Sequence, residues 1–253
     1  MLVIPSIDLR AGEVVRLYRG DFSQVTIYET NHVDTVRAYE VAGAELIHVV
    51  DLDGASGGVP SHFTHIADIV NTVSVPIQMG GGLRSEDSVK EAFDVGVSRV
   101  VLGTAAHEMP KLVEWVIASY GSNSLVVSLD VHEGFVALKG WRDTSKIKVN
   151  ELLRQMNVIG VDQFIFTDIA TDGTLEAPNF LSVEQLVDYT EALNSSFISS
   201  GGVATIDHLK KLRDLGCYGA IVGKALYEGR IDLKQAISEV TLGSLDCKEG
   251  GSA

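Results

Sequence analysis

The chain has 253 residues, 45% hydrophobic and 21% charged, enough to build a large buried core and too apolar for global disorder. Its 34 acidic and 20 basic residues leave a formal net charge of −14, which repels nucleic acid and anionic membranes, so any phosphate must be held by local geometry against an unfavourable overall field. Two distant cysteines, Cys217 and Cys247, exclude a disulfide framework and a cysteine-based zinc site.

The opening segment is apolar, lacks basic residues and meets an acid at Asp8, so it reads as a strand and not a signal peptide. No uninterrupted apolar run reaches the ~18 residues of a membrane span. A soluble, cytoplasmic protein is expected. Short apolar runs rich in Val and Ile then recur at 2–9, 45–52, 75–79, 99–103, 124–131, 163–169, 196–200 and 219–223. Several lack strict alternation, as strands buried on both faces do. Amphipathic stretches follow at 33–42, 63–72, 86–95, 109–120, 149–159, 183–193, 206–215 and 233–240. Ser85 caps an acidic first turn, and Gly43, Gly96, Gly160 and Gly216 stand where helices should stop. Eight strand–helix units in this length fit a single-domain (β/α)8 TIM barrel over 1–243. The rival, a doubly wound open sheet, wants a G-x-G-x-x-G after its first strand, and this chain has Asp8-Leu9-Arg10-Ala11-Gly12 there. The tail at 244–253 reads as disordered.

The chain also repeats itself. Ser6-Ile7-Asp8-Leu9 matches Ser128-Leu129-Asp130-Val131, 122 residues on. Asp51 matches Asp168, Gly81-Gly82 matches Gly201-Gly202, and Gly103-Thr104-Ala105 matches Gly223-Lys224-Ala225, all in the same order at nearly the same shift. Two half-barrels, about 1–122 and 123–243, are expected. In a closed barrel, units four apart face each other across the axis.

Glycine clusters at strand ends leave backbone N–H groups bare, and a following helix start adds partial positive charge, so Gly81, Gly82, Gly103 and Thr104 on one side, and Gly201, Gly202, Gly223 and Lys224 on the other, read as two phosphate cradles. The plainer reading is tight strand-to-helix turns. Two opposed cradles imply a substrate with a phosphate at each end. Asp8 and Asp130 end opposed strands and point into the mouth where barrel active sites lie, placed to divide proton work as base and acid. Asp51 and Asp168 exceed that need and read as structural, with Asp51 bonding loop amides.

If Phe164 and Phe166 pack outward, alternation turns Thr167 to the mouth. Asp172-Gly173-Thr174 reads equally as a plain turn. Trp141, on a glycine-flanked loop, either stacks on a heteroaromatic ring or anchors the loop. Arg16, Arg19 and Arg84 are candidates for phosphate or ring contact, although a lone arginine is more often surface charge. The seven histidines show no metal spacing: His62 and His65 fall on an apparent surface helix, and His48 reads as a satisfied core residue. No metal and no cofactor is expected, which leaves acid–base chemistry such as sugar-phosphate isomerisation.

These residues carry a family resemblance. The segments IPSIDLRAG at 4–12, HVVDLDGA at 48–55, QMGGGLRS at 78–85, Gly140-Trp141, TDIATDGT at 167–174 and VGKALYEG at 222–229 resemble the ribotide isomerases of histidine biosynthesis, which convert N′-formimino aminoimidazole-carboxamide ribotide (ProFAR) to its ribulosyl isomer. The resemblance runs over about 2–240 and implies an Amadori rearrangement of a bisphosphate. It implies that Asp8 is the base at C2′, Asp130 the acid that opens the ribose, and Thr167 an assistant near the sugar. It implies further that Asp172 holds the closed loop and Trp141 stacks on the aminoimidazole. Candidate substrate contacts are then Arg19, Gly81, Gly82, Arg84, Gly103, Thr104, Trp141, Asp172, Gly173, Gly201, Gly202, Gly223 and Lys224. Lys224 departs from the arginine frequent in the family.

Three alternatives stand beside this one. An isomerase that also accepts phosphoribosylanthranilate shares the chemistry. The cyclase of the next step typically begins Cys-Leu-Asp and lacks the Gly-Trp signature. A non-catalytic barrel would bind the bisphosphate without needing either Asp. The expected partner is a small-molecule bisphosphate alone, with the chain acting as a monomer.

Overall fold

The structure, a computed structural model, describes residues 1–138, 140–141 and 143–242. The expected tail and Cys247 lie outside the described residues. The first half runs β1 (Leu2–Arg10), β2 (Glu13–Tyr18), β3 (Asp21–Ile27), α1 (His32–Val41), β4 (Ile47–Asp51), α2 (Leu52–Gly57), α3 (Phe63–Thr72), β5 (Ile77–Gly80), α4 (Glu86–Asp94), β6 (Arg99–Leu102), α5 (Thr104–Glu108) and α6 (Pro110–Tyr120). The second runs β7 (Leu125–His132), β8 (Phe135–Leu138), β9 (Asp143–Lys148), α7 (Val149–Ile159), β10 (Gln163–Asp168), α8 (Phe180–Ala192), β11 (Ser196–Ser200), α9 (Ile206–Asp214), β12 (Gly219–Val222), α10 (Lys224–Tyr227) and α11 (Leu233–Leu242).

Eight strands are parallel neighbours in the order β1-β4-β5-β6-β7-β10-β11-β12, and β12 pairs with β1 to close the ring. The fold is a (β/α)8 barrel. Each expected strand and long helix is present with ends shifted by no more than three residues. β1 and β7 each extend beyond the barrel and fold back as antiparallel hairpins, β2–β3 and β8–β9. The apolar returns that the sequence shows after Gly12 and Gly134 form β2 and β8, whereas β3, β9 and the short helices α2, α5 and α10 are additions to the expected elements.

The closure follows from the residue pattern. Strand residues alternate between two apolar layers. Ile4, Val101, Val126, Ile165, Ile198 and Ile221 fill the barrel interior. Residues such as Ile7, Val49, Val100, Phe164, Phe166 and Val222 pack outward against the helices. Helix entries are capped by side chains: Asn31 on α1, Ser85 on α4, Thr205 on α9. Gly43, Gly96, Gly160 and Gly216 take left-handed φ at the exits, between +92° and +107°.

Candidate active site

The inner layer turns polar at the carboxyl ends of the strands, and there Asp8, Arg16, Asp130, Thr167 and Asp172 line one cavity. β1 and β7 stand four places apart around the ring, so Asp8 and Asp130 approach the axis from opposite sides.

Asp8 owes its setting to the first hairpin. β2 folds back with Val15 opposite Asp8, which brings Arg16 beside it. Arg16 Nη1 lies 2.5 Å from the Asp8 carboxylate. Its Nη2 donates to the Ser6 carbonyl and, at 2.7 Å, to the Ser6 hydroxyl. Burial alone would lower the guanidinium pKa, but the Asp8 carboxylate and then Tyr227 and Tyr39 outweigh it and push it up, so the side chain stays cationic. Arg16 is buried and not the surface charge a lone arginine suggests.

On the far side, register places Thr167 next to Asp130. Thr167, the Trp141 indole and the Ser128 hydroxyl hydrogen-bond the Asp130 side chain, the last at 3.1 Å. These contacts favour its anion, yet burial dominates and raises its pKa. Asp172 is also pushed up, to about 7, by burial and then by the nearby Asp8 charge, with Arg16 opposing and Asp130 adding. One wall of the cavity thus carries a carboxyl that holds a proton near neutrality, beside an ion-paired Asp8.

The two glycine clusters face each other across the same cavity. Their outer sides explain why no side chain fits. A Cβ on Gly81 would stand 2.1 Å from the Asp51 carbonyl oxygen, and one on Gly202 would stand 2.4 Å from that of Ala177. The tight-turn reading and the cavity-lining reading therefore describe the same residues. Gly103 and Gly223 open α5 and α10 with nearly identical backbone angles, φ −98° and −115°, ψ −98° and −96°. A Cβ on Gly223 would come within 2.6 Å of Arg16 Cζ, so this glycine is what admits Arg16 to its place. Lys224 Nζ donates to the Gly173 carbonyl at 3.0 Å and lies 3.7 Å from Glu228.

The remaining candidates divide. Arg84 lines the cavity and donates to the Ala55 carbonyl at 3.2 Å. Trp141 also lines it, and its ring lies so close over Gly20 that a Cβ there would stand 2.0 Å from the indole. Arg19 is exposed at the hairpin tip, its side chain packed on Tyr18, and it does not line the cavity. The turn at φ +49° swings its side chain away, leaving its backbone N–H to donate to the Asp172 carbonyl at 3.1 Å.

Asp51, wholly buried, accepts from the amides of Gly54, Ser61 and His62, the structural role expected of it. Asp168 accepts from Ala170 N–H and the Asn179 side chain. His62 is a correction: it sits at the start of α3, buried, with Nε2 2.7 Å from Asp53 on α2 and its ring against His65. His48 lines the cavity as well as the core. Arg16 takes its place through register alone: it follows Val15, the partner of Asp8, four residues past the turn at Gly12.

Comparison with known proteins follows the same lines. The family profile described as histidine biosynthesis protein matches residues 2–232. A protein of Dehalococcoides mccartyi (strain ATCC BAA-2266 / KCTC 15142 / 195) is 44% identical over 241 residues, covering 95% of this chain and all of the relative. One from Herpetosiphon aurantiacus is 45% identical over 243 residues, 96% of this chain and all of the relative. One from Clostridium novyi is 42% identical over 237 residues, 94% and 98% of the two chains. All three relatives bear the name 1-(5-phosphoribosyl)-5-((5-phosphoribosylamino)methylideneamino) imidazole-4-carboxamide isomerase. A match along nearly the whole barrel, including the strand ends that carry Asp8 and Asp130, means that the chain belongs to the histidine-biosynthesis protein family.

Proposed function

We propose that the chain is an aldose–ketose isomerase that converts ProFAR to its ribulosyl isomer in histidine biosynthesis. The observation that carries this reading is the pair of carboxyls, Asp8 and Asp130, opposed across a cavity that two glycine clusters also line. The name shared by relatives at 42–45% identity supports the substrate.

The chemistry needs proton transfers and no redox partner. Asp130, whose buried carboxyl favours its protonated form, gives its proton to the ribose ring oxygen as the C1′–O bond breaks and the aminal nitrogen supplies electrons to form an iminium. Asp8, held by Arg16, then takes the proton from C2′; the electron pair left on C2′ neutralises the iminium as an enolamine, which tautomerises to the ketose. Thr167 orients Asp130 by its hydrogen bond. The cradles at Gly81, Gly82, Gly103 and Thr104, and at Gly201, Gly202, Gly223 and Lys224, hold the two phosphates and so fix the ribose between the acids. Trp141 and Arg84 face the aminoimidazole, and Asp172 and Gly173 close the loop over the site. The protein acts in the cytoplasm as a monomer.

Incubating the chain with ProFAR and, in parallel, with phosphoribosylanthranilate tests the reading. Conversion of ProFAR alone is expected. Failure to convert ProFAR overturns the assignment, and conversion of both widens it to the two-substrate alternative. Light scattering on a sizing column checks the monomer.

A further inference from the structure

Three adjacent barrel strands set His48, Gln78 and Arg99 in one row, His48 opposite Gln78 and Gln78 opposite Arg99. All three are buried, Gln78 completely. Gln78 takes a place that aliphatic residues hold on six other strands of the barrel. Arg99 donates to the Gln78 side-chain oxygen twice, from Nε at 3.0 Å and from Nη2. A guanidinium has donors and no acceptor, so the amide oxygen must face it. The Gln78 NH2 is thereby turned to His48, 2.9 Å from Nδ1. An amide NH2 only donates, so Nδ1 must offer a lone pair and the ring proton must sit on Nε2.

His48 also lines the active cavity, two residues below the level of Asp8: its register partner on β1 is Ser6, the residue that holds Arg16. The charged groups around the ring are Arg16 from β2 and Arg99 from β6, both cationic. Burial first, then these two cations, lowers the imidazole pKa to about 3, so the ring is neutral near neutral pH.

The geometry points to Arg99 and Gln78 as positioning residues that lock His48 in the Nε2–H form, a neutral donor presented to an oxygen of the reacting sugar. The sugar contact rests on the isomerase reading above; the tautomer lock does not. A buried neutral imidazole suits this place, because a third cation beside Arg16 would compete for Asp8, whereas a neutral N–H polarises an oxygen without drawing on the base.

The lock is read directly in the unaltered chain by nitrogen NMR of labelled histidine. His48 is expected as the Nε2–H tautomer, with no titration between about pH 5 and 9. An Nδ1–H signal, or titration in that range, overturns the lock. Gln78→Glu is the second arm: a carboxylate accepts from both neighbours, so Nδ1 must gain a proton and His48 should titrate near neutrality. A His48 spectrum in Gln78→Glu unchanged from the parent overturns the relay.

For the sugar contact, His48→Gln keeps an N–H near the position of Nε2 and His48→Leu does not. His48→Gln is expected to retain about tenfold more kcat/KM on ProFAR than His48→Leu, the effect carried mainly by kcat. Equal rates in the two variants overturn the contact. A parent chain inert toward ProFAR overturns the isomerase reading and the contact with it, while the spectrum still decides the lock.

Discussion

At the scale of single residues, two carboxyls in unlike surroundings carry the proposed chemistry. Asp8→Asn and Asp130→Asn each remove one proton-transfer group, and each is expected to cut kcat on ProFAR by roughly 10²–10⁴-fold with the circular dichroism spectrum unchanged. Turnover at the parent rate in either variant refutes its role. Asp172 yields a prediction on stability. Its carboxyl ionises at about 7 in the folded chain, against an ordinary value of 3.8. Between those values the native state holds a proton that the unfolded chain has released, so stability falls as pH rises through the window and levels off above it. Asp172→Asn, neutral throughout, should lack this component: relative to the variant, the parent loses melting temperature from about pH 4 to about pH 7. Parallel melting curves across that range refute the assignment. The two opposed acids were legible because a repeated tetrapeptide placed both at strand ends. Arg16 was not, because one arginine carries no periodicity, and its burial depends on a hairpin that brings it back beside Asp8.

At the scale of elements, legibility tracked burial. The eight barrel strands are continuous apolar runs, and the sequence marks them strongly. β3 has no buried residue in its seven, so its alternation has no apolar face to display. α5 and α10, of five and four residues, are too short for a helical period to show. The close approaches between elements are where single atoms decide. Gly223→Ala adds a Cβ within 2.6 Å of Arg16, whose guanidinium is pinned by Ser6 and Asp8 and cannot step aside cheaply. The variant is expected to lose at least about tenfold in kcat while its fold persists, because the charge partner of Asp8 is displaced. Kinetics at saturating ProFAR check this. Asp51→Asn tests the scaffold instead. It sets an NH2 among three amide donors in a fully buried site, which should destabilise by about 3 kcal/mol. In a barrel of this size that lowers the melting temperature by about 6–12 °C, measurable by calorimetry.

At the scale of the whole molecule, a net charge of −14 surrounds a cavity that takes up a proposed bisphosphate. In the proposed site, that conflict is met locally by backbone amides and by Arg16, Arg84 and Lys224, which line the cavity. Three loops over the barrel mouth and the start of α10 are tied to one another: the Trp141 ring covers Gly20, Arg19 N–H holds the Asp172 carbonyl, and Lys224 holds the Gly173 carbonyl. In the proposed reading, a phosphate arriving at the second cradle competes for that same lysine, so docking one end of the ligand loosens the fastening of the neighbouring loop. Entry and departure are then coupled to breaking internal contacts, and the time a molecule resides inside is set by loop traffic as much as by bond making. Added sucrose, by thickening the solvent, should slow kcat in the parent chain more than in Asp130→Asn, where proton transfer has become the slow step.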